Sequence, residues 1–156
     1  FRLDRDTSGL VMVAKHELAA AKLSGKIKKD YYAVLTGVPE NKSGIINAPI
    51  ARCGDSIIKR KVSPDGEYAV SEYKTIKISN GNALVKFNLL TGRTHQIRVH
   101  SAYMGHPLLG DTMYGGDTAL IKRQALHCKD IYFTHPVTET EMHLSCDFPS
   151  DIKEVL

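Results

Sequence analysis

The feature that most restricts this chain is Asn80-Gly81, set between two strand-patterned runs at residues 68–79 and 83–90. Asn-Gly suits a two-residue turn with φ > 0 at both central positions, which predicts a β-hairpin. On its second arm Ala83, Val85, Phe87 and Leu89 alternate with Leu84, Lys86, Asn88 and Leu90, so one face is apolar and the other mixed. A hairpin with one face buried commits the chain to an antiparallel sheet packed on a core.

The remaining patterns attach to that hairpin. Residues 10–14, Leu-Val-Met-Val-Ala, read as a buried strand, and residues 16–28 as a helix with Gly25 as its weak point. Residues 31–35 and 44–50 are further strand candidates, the first closed by Thr36-Gly37-Val38-Pro39. Residues 94–104 carry no Pro and stop at Gly105, which predicts a helix. Four glycines and a proline make residues 105–116 a long loop, and Asp117 or Thr118 is placed to cap a short helix through residue 126. Ile131-Tyr132-Phe133, a His135-Pro136 turn, and the alternating Met142, Leu144, Cys146 and Phe148 close the chain as strands. Hairpin-linked strands with helices interspersed predict an α+β fold: a mainly antiparallel, mixed sheet with flanking helices.

Size and composition fit one domain over residues 1–156. A chain of this length buries roughly 68–70% of its unfolded surface, enough for a core without staples. Its 42% apolar and 24% charged residues lie in the globular range, and 21 Lys+Arg against 17 Asp+Glu leave +4. Cys53, Cys128 and Cys146 are scattered, odd in number and contain no C-x-x-C pair, so a reduced, cytosolic protein is expected and a zinc or disulfide framework is not. No apolar run approaches the ~20 residues of a membrane span, and the charged opening resembles no signal peptide. The chain does not begin with Met, which reads as a fragment, a processed chain or one domain of a longer protein.

Two polar islands break the core pattern. One is Arg2-Leu3-Asp4-Arg5-Asp6-Thr7-Ser8-Gly9; the other is Thr91-Gly92-Arg93-Thr94-His95-Gln96-Ile97-Arg98-Val99-His100, where a turn delivers charges to a helix start. Each alone reads as solvated surface. Together they supply a carboxylate and the arginine that would keep it ionised in a shielded cleft, as an Asp that attacks carbon or holds developing positive charge requires. Residue physics leaves Asp4 and Asp6 both open as that carboxylate.

The same residues resemble the RluA-like pseudouridine synthases. Residues 2–9 are similar to their R-L-D-x-x-T-S-G signature, and Lys28-Lys29-Asp30-Tyr31-Tyr32-Ala33 to their K-x-Y-x-A strand. Residues 91–100, followed by Gly105-His106-Pro107-Leu108-Leu109-Gly110-Asp111 and Tyr114-Gly115, match their longest motif run. Gln124-Ala125-Leu126-His127 resembles their helical Q-A-L-H segment. The blocks occur in family order across nearly the whole chain.

The resemblance implies the pseudouridine synthase fold with a central cleft, no S4-type domain, and isomerisation of uridine to pseudouridine in structured ribosomal or transfer RNA without cofactor or metal. It places the family aspartate at Asp4, the base-packing tyrosine at Tyr31 and the basic partner of the aspartate at Arg93. Leu126 falls on the apolar floor under the uracil, and Arg2 on the arginine that fills the gap left by the flipped base. Thr7, His95, Gln96 and Arg98 complete the expected substrate-binding set. Lys26, Lys28, Lys29, Lys59, Arg60, Lys61, Lys122 and Arg123 are phosphate contacts if they share a face. Phe1 stands where the family usually has His, and the strands that precede the signature in relatives, with their K-P-x-G segment, are not in this sequence. Two alternatives follow: a synthase domain that binds RNA without catalysis, and, more remotely, a D-x-D phosphotransferase built on Asp4 and Asp6.

Overall fold

The Asn80-Gly81 turn forms as its residue types demand. In the computed structural model, which describes residues 1–156, β6 (Val70–Ser79) and β7 (Asn82–Leu89) pair antiparallel, and φ at Asn80 and Gly81 is 51° and 78°. Ala83, Val85 and Phe87 are fully buried, as the alternation required. β7 pairs on its other side with β2 (Lys28–Leu35), and β2 with β8 (Leu126–Thr134), all antiparallel. β1 (Ser8–Gly9) and β9 (Glu141–Ser145) both attach to β8, and β3 (Ser43–Asn47) closes the far edge, giving the order β1-β8-β2-β7-β6-β3 with β9 beside β8. Only β1 runs parallel to its neighbour. β4 (Ile50–Arg52) and β5 (Arg60–Val62) make a separate small sheet.

Helices cover both faces. α1 (Glu17–Leu23) begins at His16, whose Nδ1 accepts from the Ala19 amide, and α2 (Gln96–Tyr103) ends just before Gly105. On one face Ala33, Leu35, Val85 and Phe87 meet Ile97 of α2 with Leu108 and Leu126. Further along it Leu23 of α1 meets Cys128, Ile131 and Phe133. Tyr31 packs against both clusters, so the boundary between them opens as a cleft. On the opposite face Val34 and Leu84 are capped by Ile152 and Val155, at and just after α3 (Ser150–Lys153). No helix is long and apolar enough to cross a membrane.

Several expectations are corrected. Residues 10–14 form no strand: after Leu10 N–H donates to Cys128 O (2.9 Å), the edge of β8 is occupied by β9. Leu10 and Met12 still pack inward, whereas Val11 and Val13 are 50% and 78% exposed. The helix expected from Asp117 or Thr118 to residue 126 does not exist. Asp117 Oδ1 caps a local turn at Ala119, and Ala125 exchanges backbone bonds with Leu109 and Val34, which holds the segment extended; Gln124-Ala125-Leu126-His127 therefore leads into a strand rather than a helix. The helix expected over 16–28 shrinks to seven residues, since Lys28 already belongs to β2. The 44–50 run splits at Ala48-Pro49 into β3 and β4. The final strand ends at Ser145, and Phe148 packs edge-on to Tyr32. β5 and α3, three and four residues long, carry no periodicity to find.

Candidate active site

The two polar islands meet across the cleft, whose volume is about 930 Å³. The first is a tight turn: Thr7 N–H donates to Asp4 O (3.1 Å), and Asp6 adopts φ 67° to close it. The approach to β8 fastens the turn. Gln124 Nε2 donates to Arg5 O and to Thr7 Oγ1, and Arg123 donates to Asp6 O (2.9 Å) and Ser8 Oγ (3.2 Å). Gly9 has φ 118°, and a Cβ there would lie 2.2 Å from Cys128 O, so the S-G pair is the point where the turn can lie flat on β8.

The second island is organised by Gln96, which is 2% exposed. Its Oε1 accepts from Thr91 Oγ1 and the Arg93 amide, and its Nε2 donates to Val70 O and Ser71 Oγ. Its oxygen shapes the 91–96 turn and its amide nitrogen ties that turn to β6. Ser71 Oγ in turn meets His100 Nδ1 (2.9 Å), and His100 Nε2 meets Ala48 O (2.9 Å), which anchors α2 to β6. Burial holds the His100 pKa below its ordinary value, and the neutral ring suits this chain of bonds.

Arg98, one turn into α2, points under the cleft. It is 6% exposed, and its Nε and Nη2 make a bidentate pair with Asp111 at 2.7 and 2.9 Å. Asp111 is 1% exposed, and the Tyr114 ring lies 5.0 Å from the guanidinium carbon. Arg98 Nη1 is 4.0 Å from a carboxylate oxygen of Asp4. Burial opposes the charge on Arg98, but Asp111, helped by Asp4, outweighs it and lifts the pKa above the usual arginine value. Beneath the cleft thus lies a buried, charged cation, locked from behind by Asp111 and facing Asp4.

This corrects the expected pairing of Arg93 with Asp4. Arg93 precedes the helix, and His95, with φ 57°, turns the chain between them. Arg93 lies at the rim, where Nε donates to Tyr68 O (2.8 Å) and Nη1 pairs with Glu67 (2.8 Å).

Tyr31 and Leu126 line the cleft, as do Arg2 and Thr7, with Arg2 exposed at its mouth. A β-bulge at Lys129 sets Tyr31 beside Cys128, on the cleft side, while Asp30 and Asp130 face the other side of the sheet. Burial, then the neighbouring Cys128 and Asp4, raise the Tyr31 pKa, so its phenol stays protonated. His95 lies behind the site, with Nδ1 2.7 Å from Tyr114 OH; burial first, then Arg98, lower its pKa. Asp6, whose side chain is 60% exposed, pairs loosely with Arg5 rather than with α2. Of the lysines and arginines proposed as phosphate contacts, Lys28 and Lys29 line the cleft, whereas Arg123 is spent on Asp151.

Sequence reading assigned no role to Asp111 or Gln124. For Asp111 a signal existed: an aspartate in an apolar, glycine-rich loop needs a buried cation, and Arg98 is the arginine on the inward face of α2.

Comparison with known proteins identifies the family. Residues 2–103 match the family described as RNA pseudouridylate synthase. The uncharacterized RNA pseudouridine synthase YjbO of Bacillus subtilis is 45% identical over 99% of this chain and 56% of its own length. The ribosomal large subunit pseudouridine synthase D of Vibrio cholerae is 38% identical over 99% of this chain and 53% of its own. The chain therefore spans about half the length of the curated relatives it matches. The solved structure of human RNA pseudouridylate synthase domain containing 1 shares the fold, with a TM-score of 0.71 at 21% identity over 83% of this chain and 58% of that one. On the family match over residues 2–103 and these relatives, the chain belongs to the RNA pseudouridine synthase family.

Proposed function

We propose that this chain converts uridine to pseudouridine in RNA. The carrying observation is Asp4, its side chain 23% exposed, 4.0 Å from the buried Arg98 in a cleft that also holds the protonated Tyr31. The reaction breaks N1–C1′, rotates the uracil and joins C5 to C1′, so all heavy atoms stay within the nucleotide while C5 gives up a proton to solvent and N1 takes one up. Arg98 faces the Asp4 carboxylate from 4.0 Å, where its charge supports Asp4 in attack on the sugar or base, or in electrostatic support of the separating pair. Tyr31 supplies a packing face and an O–H at the base; a proton-accepting role requires that the substrate first lower its pKa. Leu126 forms an apolar floor. The cleft accepts the uridine out of the stack, and Arg2 at its mouth is placed to fill the gap.

Structured RNA in the cytoplasm is the proposed substrate, with no cofactor. The name of the Vibrio relative makes ribosomal RNA the first to test and transfer RNA the second. The test is tritium release from RNA labelled at uridine C5, by the chain and by Asp4→Asn. Release that disappears in the variant supports the reading. RNA binding by both proteins with release by neither would refute isomerisation by this chain and leave an RNA-binding domain.

A further inference from the structure

A second, smaller cleft of about 380 Å³ adjoins the main one. β4, Arg60 of β5, the turn at 65–67 and the turn at 92–94 line it, and the two clefts share Gly92, Arg93 and Thr94 as a common wall. That shared wall puts the smaller cleft within reach of the strand that continues from a nucleotide extruded into the main cleft. The smaller cleft carries Arg52, Arg60 and Arg93 against Asp65 and Glu67, a balance of 3 − 2 = +1. Arg60 is committed through Nη1 to the carbonyls of Ile57, Ile58 and Lys59, whereas Arg52 is exposed.

Arg93 has two partners of different kinds. Its bond to Tyr68 O orients the guanidinium through Nε, and its Nη1 pairs with Glu67 at 2.8 Å. Both backbones are fixed. The Glu67 amide and carbonyl exchange bonds with Ile50 (2.8 and 3.0 Å), and the Arg93 amide donates to Gln96. Only the side chains can exchange partners. With the Arg93 and Glu67 side chains 36% and 72% exposed, their pair contributes little. A phosphodiester, which an arginine fork grips through charge-assisted bonds, displaces such a partner readily.

We propose that the smaller cleft is a phosphate-binding subsite for the RNA strand beside the extruded uridine, that Arg93 grips the phosphodiester, and that Glu67 occupies Arg93 until RNA arrives. The proposal rests on the RNA reading above and assigns Arg93 a role distinct from the chemistry at Asp4.

The test is a double-mutant cycle read by binding of a uridine-containing RNA hairpin across a salt series, with steady-state tritium release alongside. Arg93→Met weakens binding about tenfold or more, as loss of a charged hydrogen bond does, and lowers the salt slope by about one. Glu67→Gln tightens binding about two- to fivefold, the range set by an exposed pair, and lowers KM. In Arg93→Met/Glu67→Gln the gain from Glu67→Gln disappears. A gain from Glu67→Gln that persists without Arg93 would show only diffuse charge repulsion and overturn the proposal, as would an unchanged salt slope in Arg93→Met. A wild-type chain that binds no RNA at any salt concentration would fail earlier, at the RNA reading itself.

Discussion

Replacing Arg98 with Met tests the buried Asp4–Arg98–Asp111 arrangement on two separable readouts. The side chain is nearly isosteric along its stem, so the change removes charge and hydrogen bonds more than volume. Asp111, 1% exposed, then loses both charged bonds, and breaking a buried pair from one side costs about 3–5 kcal/mol. For a domain of this size that lowers Tm by roughly 6–20 °C. At 4.0 Å and an effective dielectric of about 20, the Asp4–Arg98 attraction is about 4 kcal/mol, and its loss reduces turnover by up to about 1,000-fold. Arg98→Met/Asp111→Leu removes the stranded carboxylate as well. Thermal unfolding should show the double variant recovering most of the lost stability, while tritium release stays at the level of Arg98→Met. Restored turnover in the double variant, or a single-variant cost below about 1 kcal/mol, would refute the argument that Arg98 acts on Asp4 while braced by Asp111.

Two further outcomes follow from the buried groups and the close approach at β1. The pKa values of His95, His100 and His127 are all lowered by burial, so their contribution to stability is complete above about pH 6.5 and is lost as pH falls below it. Fully buried His100 alone sets a slope of up to about 1.4 kcal/mol per pH unit; urea midpoints that stay level between pH 7 and pH 5 would contradict this. Gly9→Ala places a Cβ 2.2 Å from Cys128 O at φ 118°, and a cost above about 2 kcal/mol is expected from strain and clash together. A urea midpoint equal to that of the parent would show that β1 does not lie flat on β8.

What was legible in the sequence was local. Asn80-Gly81 specified its turn because both φ values belong to those two residue types, and Gly105 marked where α2 stops. The two polar islands announced the site because buried structure has no use for so many hydrogen-bonding groups in one place. The partner of Asp4 was not legible in this way. Arg93 and Arg98 are both plausible from spacing, and only the left-handed turn at His95 and the burial of Asp111 decide between them. Asp117 to Leu126 misled for a related reason: a capping residue before an apolar stretch suits a helix, but the bonds of Ala125 to Leu109 and Val34 bind it elsewhere. Long-range pairing overrode local preference there.

The forked edge of β8 has a consequence for the behaviour of the molecule in solution. From Val11 to Lys15 neither the amides nor the carbonyls find a backbone partner within the chain, and Val11 and Val13 are exposed. These amides should exchange with deuterated solvent without the protection their neighbours in β8 enjoy. Such a ribbon is also a template for strand addition, so concentrated solutions of these 156 residues are where edge-to-edge association between molecules should begin.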